Sequence, residues 1–321
     1  KLIKDYGNNS LRHAKTDKAD ALKIARYGLD NWAELRQYTP IDTIRYQLKT
    51  LNLQYSLYTK NKTALKNNLI ALLDQTYPGV NALFTSPARE DGHQKWVDFA
   101  TTFWHVDCVC TLSLNAFTER YHKWCKRHGY SFCSVKAAEI YDASKERIAL
   151  LPKDALTKML IHQAAQSLNT LSKTACSLRL EMKKLAQQLP EYPIVMAMYG
   201  VGDSLGPQLM AEIGDVRRFH KRNALTAFAG VDPKVNQSGN RVSKRNPATK
   251  HGSPELRRTL FLVMETLIKK SPPDDPVFLF IDKKRAEGKP YYVYMTAGAN
   301  KFLRIYYGKV REYFASLDTS V

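Results

Sequence analysis

Apolar and aromatic side chains recur in alternating steps of three and four between residues 41 and 72: Ile41, Ile44, Leu48, Leu51, Tyr55, Tyr58, Leu65, Leu69 and Leu72, with Lys62 filling the one interruption. A seam of this period predicts a long coiled-coil helix, and a lysine at a core position is a register device that costs some stability. Tyr77-Pro78-Gly79 should stop it. A second seam runs through Ile161, Ala164, Leu168, Leu171, Ala175, Leu178, Met182, Leu185 and Leu189 to Pro190. The two helices need partners for their apolar faces, so they pair with each other as an antiparallel hairpin or pack across a dimer. Between them, residues 80–150 carry Phe84, Trp96, Phe99, Phe103, Trp104 and Trp124, which suits a compact helical insert.

Upstream, TDKADALKIARYGL reads as an amphipathic helix with Thr16 as N-cap, acidic residues in its first turn, and Ala21, Ile24, Ala25 and Leu29 at helical spacing. Beyond Pro193 the pattern changes to glycine punctuation, basic loops and shorter elements, which places a boundary near residue 190. Ser271-Pro272-Pro273-Asp274-Asp275-Pro276 then separates a last pair of helices, where Ala299, Phe302, Leu303, Tyr306 and Val310 line one face. The expected organisation is a mainly helical, multidomain chain: residues 1–40, a long-helix region 41–190 with its insert, and a mostly helical region 191–321.

The 321 residues carry 49 Lys and Arg against 30 Asp and Glu, a net charge of +19. Such a field favours polyanions, with nucleic acid first. Hydrophobic residues at 44% and charged residues at 25% exclude wholesale disorder. No apolar run approaches a membrane span and the first residues lack a signal-peptide core, so a cytoplasmic, nucleoid-associated protein is expected. Cys108, Cys110, Cys125, Cys133 and Cys176 are odd in number and irregular in spacing, which suits reduced thiols better than a disulfide framework. The chain begins at lysine and has no methionine before Met159.

Several constellations carry chemistry. Asp17 and Asp20, spaced i, i+3, put two carboxylates on one face of a helix start, where they can share a hard divalent cation. The plainer reading is compensation of the helix dipole. MYGVGDSLGPQLMAEIGDVRRF resembles a helix-hairpin-helix: the backbone at Gly200 and Gly202 can approach a DNA phosphate, and Arg217 and Arg218 follow directly. A plain turn between packed helices explains the glycines equally well. In FAGVDPKVNQSGNRVSKRNPATKHGSPELRRTL, Ser238 stands before Gly239 and is followed by Arg241, Lys244, Arg245, Lys250, Arg257 and Arg258. Clustered cations can hold a phosphodiester in line for a hydroxyl nucleophile, or the segment is a basic loop that merely neutralises phosphates. His105, Cys108, Cys110, His122, Cys125 and His128 have residue types that suit zinc but not its usual ligand spacing.

Taken in order, KTDKADA, the long seam, GVGDSLGPQLMAEIGDVRRF, AFAGVDPKVNQSGNRVSKRN, ELRRTLF and EGKPYYVYMTAGANKFLRIYY resemble the insertion-sequence transposases of family 110, which are similar to the pilin-gene invertases. The resemblance is strongest over residues 12–30 and 190–310. It implies an RNase H-like (RuvC-type) α/β domain with a D-E-D-D carboxylate set, whose last two members match Asp17 and Asp20 and would hold Mg2+. It implies a C-terminal transposase domain in which Ser238 matches the nucleophile. A structured bridge-type non-coding RNA is then expected beside the DNA of the element ends and target, together with a homo-oligomer, dimer or tetramer. The first Asp and the Glu of that set lie upstream of the K-T-D motif, so residues 1–40 would be a remnant of the nuclease domain, and the chain as it stands is expected to be catalytically impaired. Asn246 to Gly252 looks like a lengthened turn relative to the family. Two alternatives stay open: a non-catalytic nucleic-acid-binding protein, and a metal-dependent nuclease that uses no serine intermediate.

Overall fold

The computed structural model describes Tyr6 and residues 16–34, 42–234, 237–238, 241–242 and 247–319. It is mainly helical, and among the described residues strand is limited to one two-residue ladder. The chain divides into two compact units, residues 1–41 and residues 42–321.

In the first unit, helix α1 (Asp17–Asp30) starts where Thr16 accepts a hydrogen bond from the Ala19 amide at 3.2 Å. Asp17 and Asp20 occupy the first turn, and the helix buries none of its residues. Ala21, Ile24, Ala25 and Leu29, the apolar face expected from the sequence, are exposed.

The second unit is built on two long helices, α2 (Thr43–Leu73) and α7 (Ala155–Ala186), about 46 and about 48 Å long at 1.5 Å per residue. Asp42 and Asp154 cap them, accepting from the Arg45 and Thr157 amides at 2.8 Å. The helices run antiparallel within the chain. Leu48 near the start of α2 shares a core with Met182, Ala186 and Leu189, whereas Leu69 and Leu73 at its end pack with Ile161, Ala164 and Leu168. Along α7 the seam residues Ile161, Ala164, Leu168, Ala175 and Met182 are buried, and Leu171, Leu178 and Leu185 are half-buried.

The far end of this hairpin carries the aromatic insert, formed by α3 (Lys95–Thr102), α4 (Asp107–Cys110), α5 (Leu114–His128) and α6 (Ser134–Lys145). Phe99 is its hub, 4.6 Å from Phe103 and 5.6 Å edge-on from Trp124, measured between ring centroids. The near end is continuous with the core of α8 (Tyr192–Met196), α9 (Leu205–Ile213), α10 (Arg222–Ala229), α11 (Pro254–Lys270), α12 (Pro276–Ala286) and α13 (Tyr291–Asp318). Asp275 accepts from the Val277 and Phe278 amides to start α12 behind Pro276. Ala299, Phe302, Leu303, Tyr306 and Val310 of α13 are all buried, and each large apolar side chain so placed contributes roughly 1.5–3 kcal/mol. No helix among the described residues is long and apolar enough to cross a membrane.

Candidate nucleic-acid interface

Helix α10 ends at Gly230, whose φ of +66° only glycine adopts freely. From there the chain leaves as one arm of a hairpin and returns into α11. Lys234 donates its amide to Pro247 O at 2.8 Å, Thr249 to Asp232 O at 2.9 Å, and Lys250 to Gly230 O at 3.1 Å. The Thr249 hydroxyl also donates to Asp232 Oδ1 at 2.6 Å. At the outer end the ladder of β1 (Gln237–Ser238) and β2 (Arg241–Val242) is antiparallel, with Ser238 opposite Arg241. Within the stretch read as a lengthened turn, residues Pro247 to Gly252 are therefore the returning arm of the hairpin. Its foot is a close backbone crossing: a Cβ on Gly252 would lie 1.9 Å from Phe228 O, and one on Gly230 would lie 2.8 Å from the Gly252 nitrogen. Ser253 then caps α11 by accepting from the Leu256 amide at 3.1 Å.

Beside this foot lies an open cleft of about 1220 Å³, walled by α11 and α13. Lys250, Arg257, Arg258 and Arg304 line it, together with Phe261, Phe280 and Tyr292 and the amides of Asn223 and Asn300. Asp232 is the carboxylate of the lining, and it already accepts the Thr249 hydroxyl. Lys250 is a non-glycine residue at φ +54°, a left-handed conformation that costs roughly 1–2 kcal/mol. Arg258 is exposed. The carboxylate one turn before it, Glu255, has both oxygens occupied by Lys60 Nζ and Ser56 Oγ, each at 2.8 Å. Burial pushes the Glu255 carboxyl up, but the bonds from Lys60 and Ser56 outweigh it and leave the group below its ordinary value.

Those bonds belong to a stripe along α2. Arg45 donates to Glu191 from both terminal guanidinium nitrogens, one bond measuring 3.0 Å. Glu212 accepts from Lys49 Nζ at 2.6 Å, Asn52 Nδ2 at 2.7 Å and Ser253 Oγ at 2.8 Å. Glu191 and Glu212 are buried, as are Arg45, Asn52 and Ser56. Residues 45, 49, 52, 56 and 60 repeat at helical spacing, and they fix α2 to the C-terminal helices that carry the hairpin and the cleft. Their acceptors lie about 150–200 residues away in sequence, so the α2 pattern alone gives no sign of them.

The cationic residues singled out from the sequence divide by environment. Lys250, Arg257 and Arg258 share the cleft, although Arg257 donates to Ala229 O at 3.0 Å and so closes the C-terminus of α10. Arg217 is held by Asp215 at 2.8 Å and lies 4.3 Å from the Phe314 ring. Arg218 donates to Ile213 O at 3.1 Å, and its guanidinium lies 4.5 and 4.6 Å from the Phe219 and Phe228 rings. Burial holds the Arg218 guanidinium below its ordinary value. Lys244 and Arg245 fall outside the described residues.

The two glycines of the turn between α8 and α9 also differ. Gly200 has φ +78° and packs against α11, where a Cβ would lie 2.8 Å from Leu267 and 3.0 Å from Val263 O. A Cβ on Gly202 would meet nothing within 4 Å. In the insert, His105 bonds to Leu151 O at 3.0 Å, His122 lies 4.5 Å from Phe132, and His128 lies 5.1 Å from Trp124. All five cysteines are free, and no group of three metal-capable side chains converges among the described residues.

A mainly helical chain of net charge +19, with a serine at the end of a hairpin and a basic, aromatic cleft at its foot, has the make-up of a nucleic-acid-handling protein. Comparison with known proteins narrows this. Residues 192–277 match the profile described as Transposase IS116/IS110/IS902 family, and residues 1–78 match a DEDD-type IS110 transposase profile. The chain belongs to the IS110/IS116/IS902 transposase family. It is 23% identical over 174 residues to the insertion element IS110 uncharacterized 43.6 kDa protein of Streptomyces coelicolor, covering 54% of this chain and 42% of that one. Against the insertion element IS116 uncharacterized 44.8 kDa protein of Streptomyces clavuligerus it is 22% identical over 277 residues, 85% of this chain and 65% of the relative. It is also 30% identical over 114 residues to the pilin gene-inverting protein of Moraxella bovis, covering 35% and 34% of the two chains. The chain thus spans between about a third and two thirds of the length of these relatives.

Proposed function

We propose that this chain acts in a transposase or site-specific recombinase of an insertion element, which breaks and rejoins DNA with Ser238 as nucleophile. Ser238 Oγ forms a bond to phosphorus as the bond from phosphorus to a deoxyribose oxygen breaks. The serine proton passes to solvent or a basic group, and the leaving oxygen gains one. The reverse step, with a different deoxyribose hydroxyl attacking, rejoins the strands, and the phosphodiester count is conserved. The observation that carries the reading is the placement of Ser238 opposite Arg241, on a hairpin whose foot borders the basic cleft. Arg241, Lys244 and Arg245, with Lys250 and Arg258, would hold the phosphodiester and offset charge that builds on its oxygens.

Asp17 and Asp20 are both exposed on the first turn of α1. Two hard-oxygen donors on one helical face fit a divalent cation such as Mg2+, which Asp17 and Asp20 would hold. When bound, such an ion would polarise a phosphoryl oxygen. In the family's scheme these aspartates belong to an RNase H-like domain, and residues 191–321 form the serine-bearing domain. The turn from α8 through Gly202 to α9 is the part that would approach duplex phosphates as a helix-hairpin-helix.

A structured RNA is the further partner, and the net charge of +19 suits a protein that holds two polyanions. A homo-oligomer fits the exposed Tyr46, Leu53 and Leu57, which run along the outer face of α2 on a helix long enough to pair again.

The test is a denaturing-gel trap of covalent protein–DNA adduct, using protein extended to the full length of its relatives, with Mg2+, element-end DNA and flanking RNA. Adduct from the parent protein and none from Ser238→Ala, with DNA binding retained, is the expected result. Strand cleavage that persists in Ser238→Ala overturns the nucleophile.

A further inference from the structure

The cleft at the foot of the hairpin has a composition that phosphate neutralisation alone does not call for. Tyr292 is 73% exposed although it sits in a recess, with its ring centroid 6.4 Å from Phe261 and 5.2 Å from Tyr291. An aromatic ring left this open contributes little to the core. Around it stand the exposed cations Lys250, Arg258 and Arg304. Arg304 reaches Asn223 Oδ1 at 3.4 Å, which turns its guanidinium along the cleft wall.

Three features therefore converge: positive charge, an open π face, and the side-chain amides of Asn223 and Asn300. A ligand that answers all three is anionic, planar and edged with hydrogen-bonding groups, which describes a nucleotide. Paired bases in a duplex bury their faces against neighbours and offer only edges and phosphates. Unpaired bases offer the face as well, and cationic grooves with exposed aromatics suit unpaired strands for that reason. The cleft volume of about 1220 Å³ is above the ~300–1,000 Å³ typical of a small-molecule site and gives room for a stretch of strand.

We infer that this cleft takes an unpaired nucleotide of the DNA strand that is cut, with its base stacked on Tyr292 and its flanking phosphates on Lys250, Arg258 and Arg304. The inference rests on the recombinase reading for the identity of the strand. Ser238 lies five residues beyond Pro233 on the cleft rim, at most about 18 Å of extended chain, so the captured nucleotide is within a few positions of the attacked phosphate. Local opening of the duplex beside the scissile bond is then part of substrate recognition, and sequences that unstack easily are favoured.

The experiment measures binding without cleavage, in full-chain protein carrying Ser238→Ala. The probes are a duplex with a short unpaired bubble containing 2-aminopurine, the same duplex fully paired, and single-stranded RNA of the same sequence. Stacking on Tyr292 should quench the 2-aminopurine signal of the bubble probe. Tyr292→Ala should abolish the quench and weaken bubble binding on the order of tenfold, leaving the paired duplex within about twofold. Tyr292→Phe should retain both. Equal loss on paired and bubbled DNA, or no change from Tyr292→Ala, overturns the inference. So does quenching reserved for the RNA probe, which would make RNA the occupant. Because no strand is cut, a negative result leaves the Ser238 assignment standing, and a failed adduct trap leaves this binding result standing.

Discussion

Replacing Glu212 with alanine removes the acceptor that joins α2, α9 and the start of α11. The side chain is 3% exposed and takes three bonds, from Lys49, Asn52 and Ser253. Without it the buried Asn52 amide loses its partner, and an orphaned buried donor costs about 1–3 kcal/mol. Lys49 is 36% exposed and turns to water, so its charge-assisted bond is discounted to about 1 kcal/mol or less. Ser253 keeps its cap on the Leu256 amide. The lost packing of a buried side chain brings the expected cost to about 3 kcal/mol, or about 6 °C in melting temperature at roughly 2 °C per kcal/mol for a unit of this size. Glu212→Gln keeps the volume and one acceptor and should cost about half as much, and Lys49→Ala about 1 kcal/mol or less. Thermal melts followed by circular dichroism give the order Ala, Gln, Lys49→Ala. A Glu212→Ala protein within about 0.5 kcal/mol of the parent, the range of an ordinary surface substitution, would refute the claim that the α2 stripe fixes the C-terminal helices.

Four shorter predictions follow from the same geometry. Gly200→Ala and Gly202→Ala should separate: the first places a Cβ against Leu267 and Val263 at a positive φ and costs about 1–3 kcal/mol, whereas the second is neutral for stability and weakens duplex binding if this turn meets phosphate. Gly252→Ala forces a Cβ onto Phe228 O and should destabilise by about 3 kcal/mol or unseat the foot of the hairpin, seen as a loss of protection against proteolysis within residues 228–234 and 247–253. Arg258→Ala should lower the slope of log binding constant against log salt by about 0.7–0.9, with no change in melting temperature, as expected for one phosphate contact. Glu255 and Asp215 both have carboxyls held below their ordinary values of 4.5 and 3.8: burial raises each, but bonds from Lys60 and Ser56, or from Arg217, more than offset it. Folding then depresses the pKa, so this stability is full above those values and is lost as pH falls through and below them. Acid titration of Glu255→Gln should show a flatter stability loss there.

How much of this was legible in the sequence depended on whether a partner lay within one helix or across the fold. The α13 face from Ala299 to Val310 is buried as its spacing requires, and so are Ile161, Ala164, Leu168, Ala175, Met182 and Leu189 of the second seam, with Leu171, Leu178 and Leu185 half-buried between them, because an apolar stripe reports its own burial. The α2 seam pointed to one long helix, which the structure has, and left its partner open between the same chain and a second copy; it did not give the inner face. Leu48 is buried, yet Ile44, Leu51 and Tyr55 are only half-buried, and the line beside them, Arg45, Asn52 and Ser56, goes fully inside. Polar residues read as solvent-facing by default, and they are buried here because Glu191, Glu212 and Glu255 arrive from a distant part of the chain to meet them. The same distinction sorts the site. Basic residues that look equivalent in sequence part company once Arg217 pairs with Asp215 and Arg218 packs on Phe219 and Phe228, whereas Arg258 stays open because Lys60 and Ser56 occupy the carboxylate next to it. Tyr292 and Arg304, which complete the cleft, come from α13 and join Lys250 only through the packing of α11 on α13. A cationic count identifies the kind of ligand, but which cations are free to meet it is decided by the carboxylates and carbonyls that the fold has already assigned to the others.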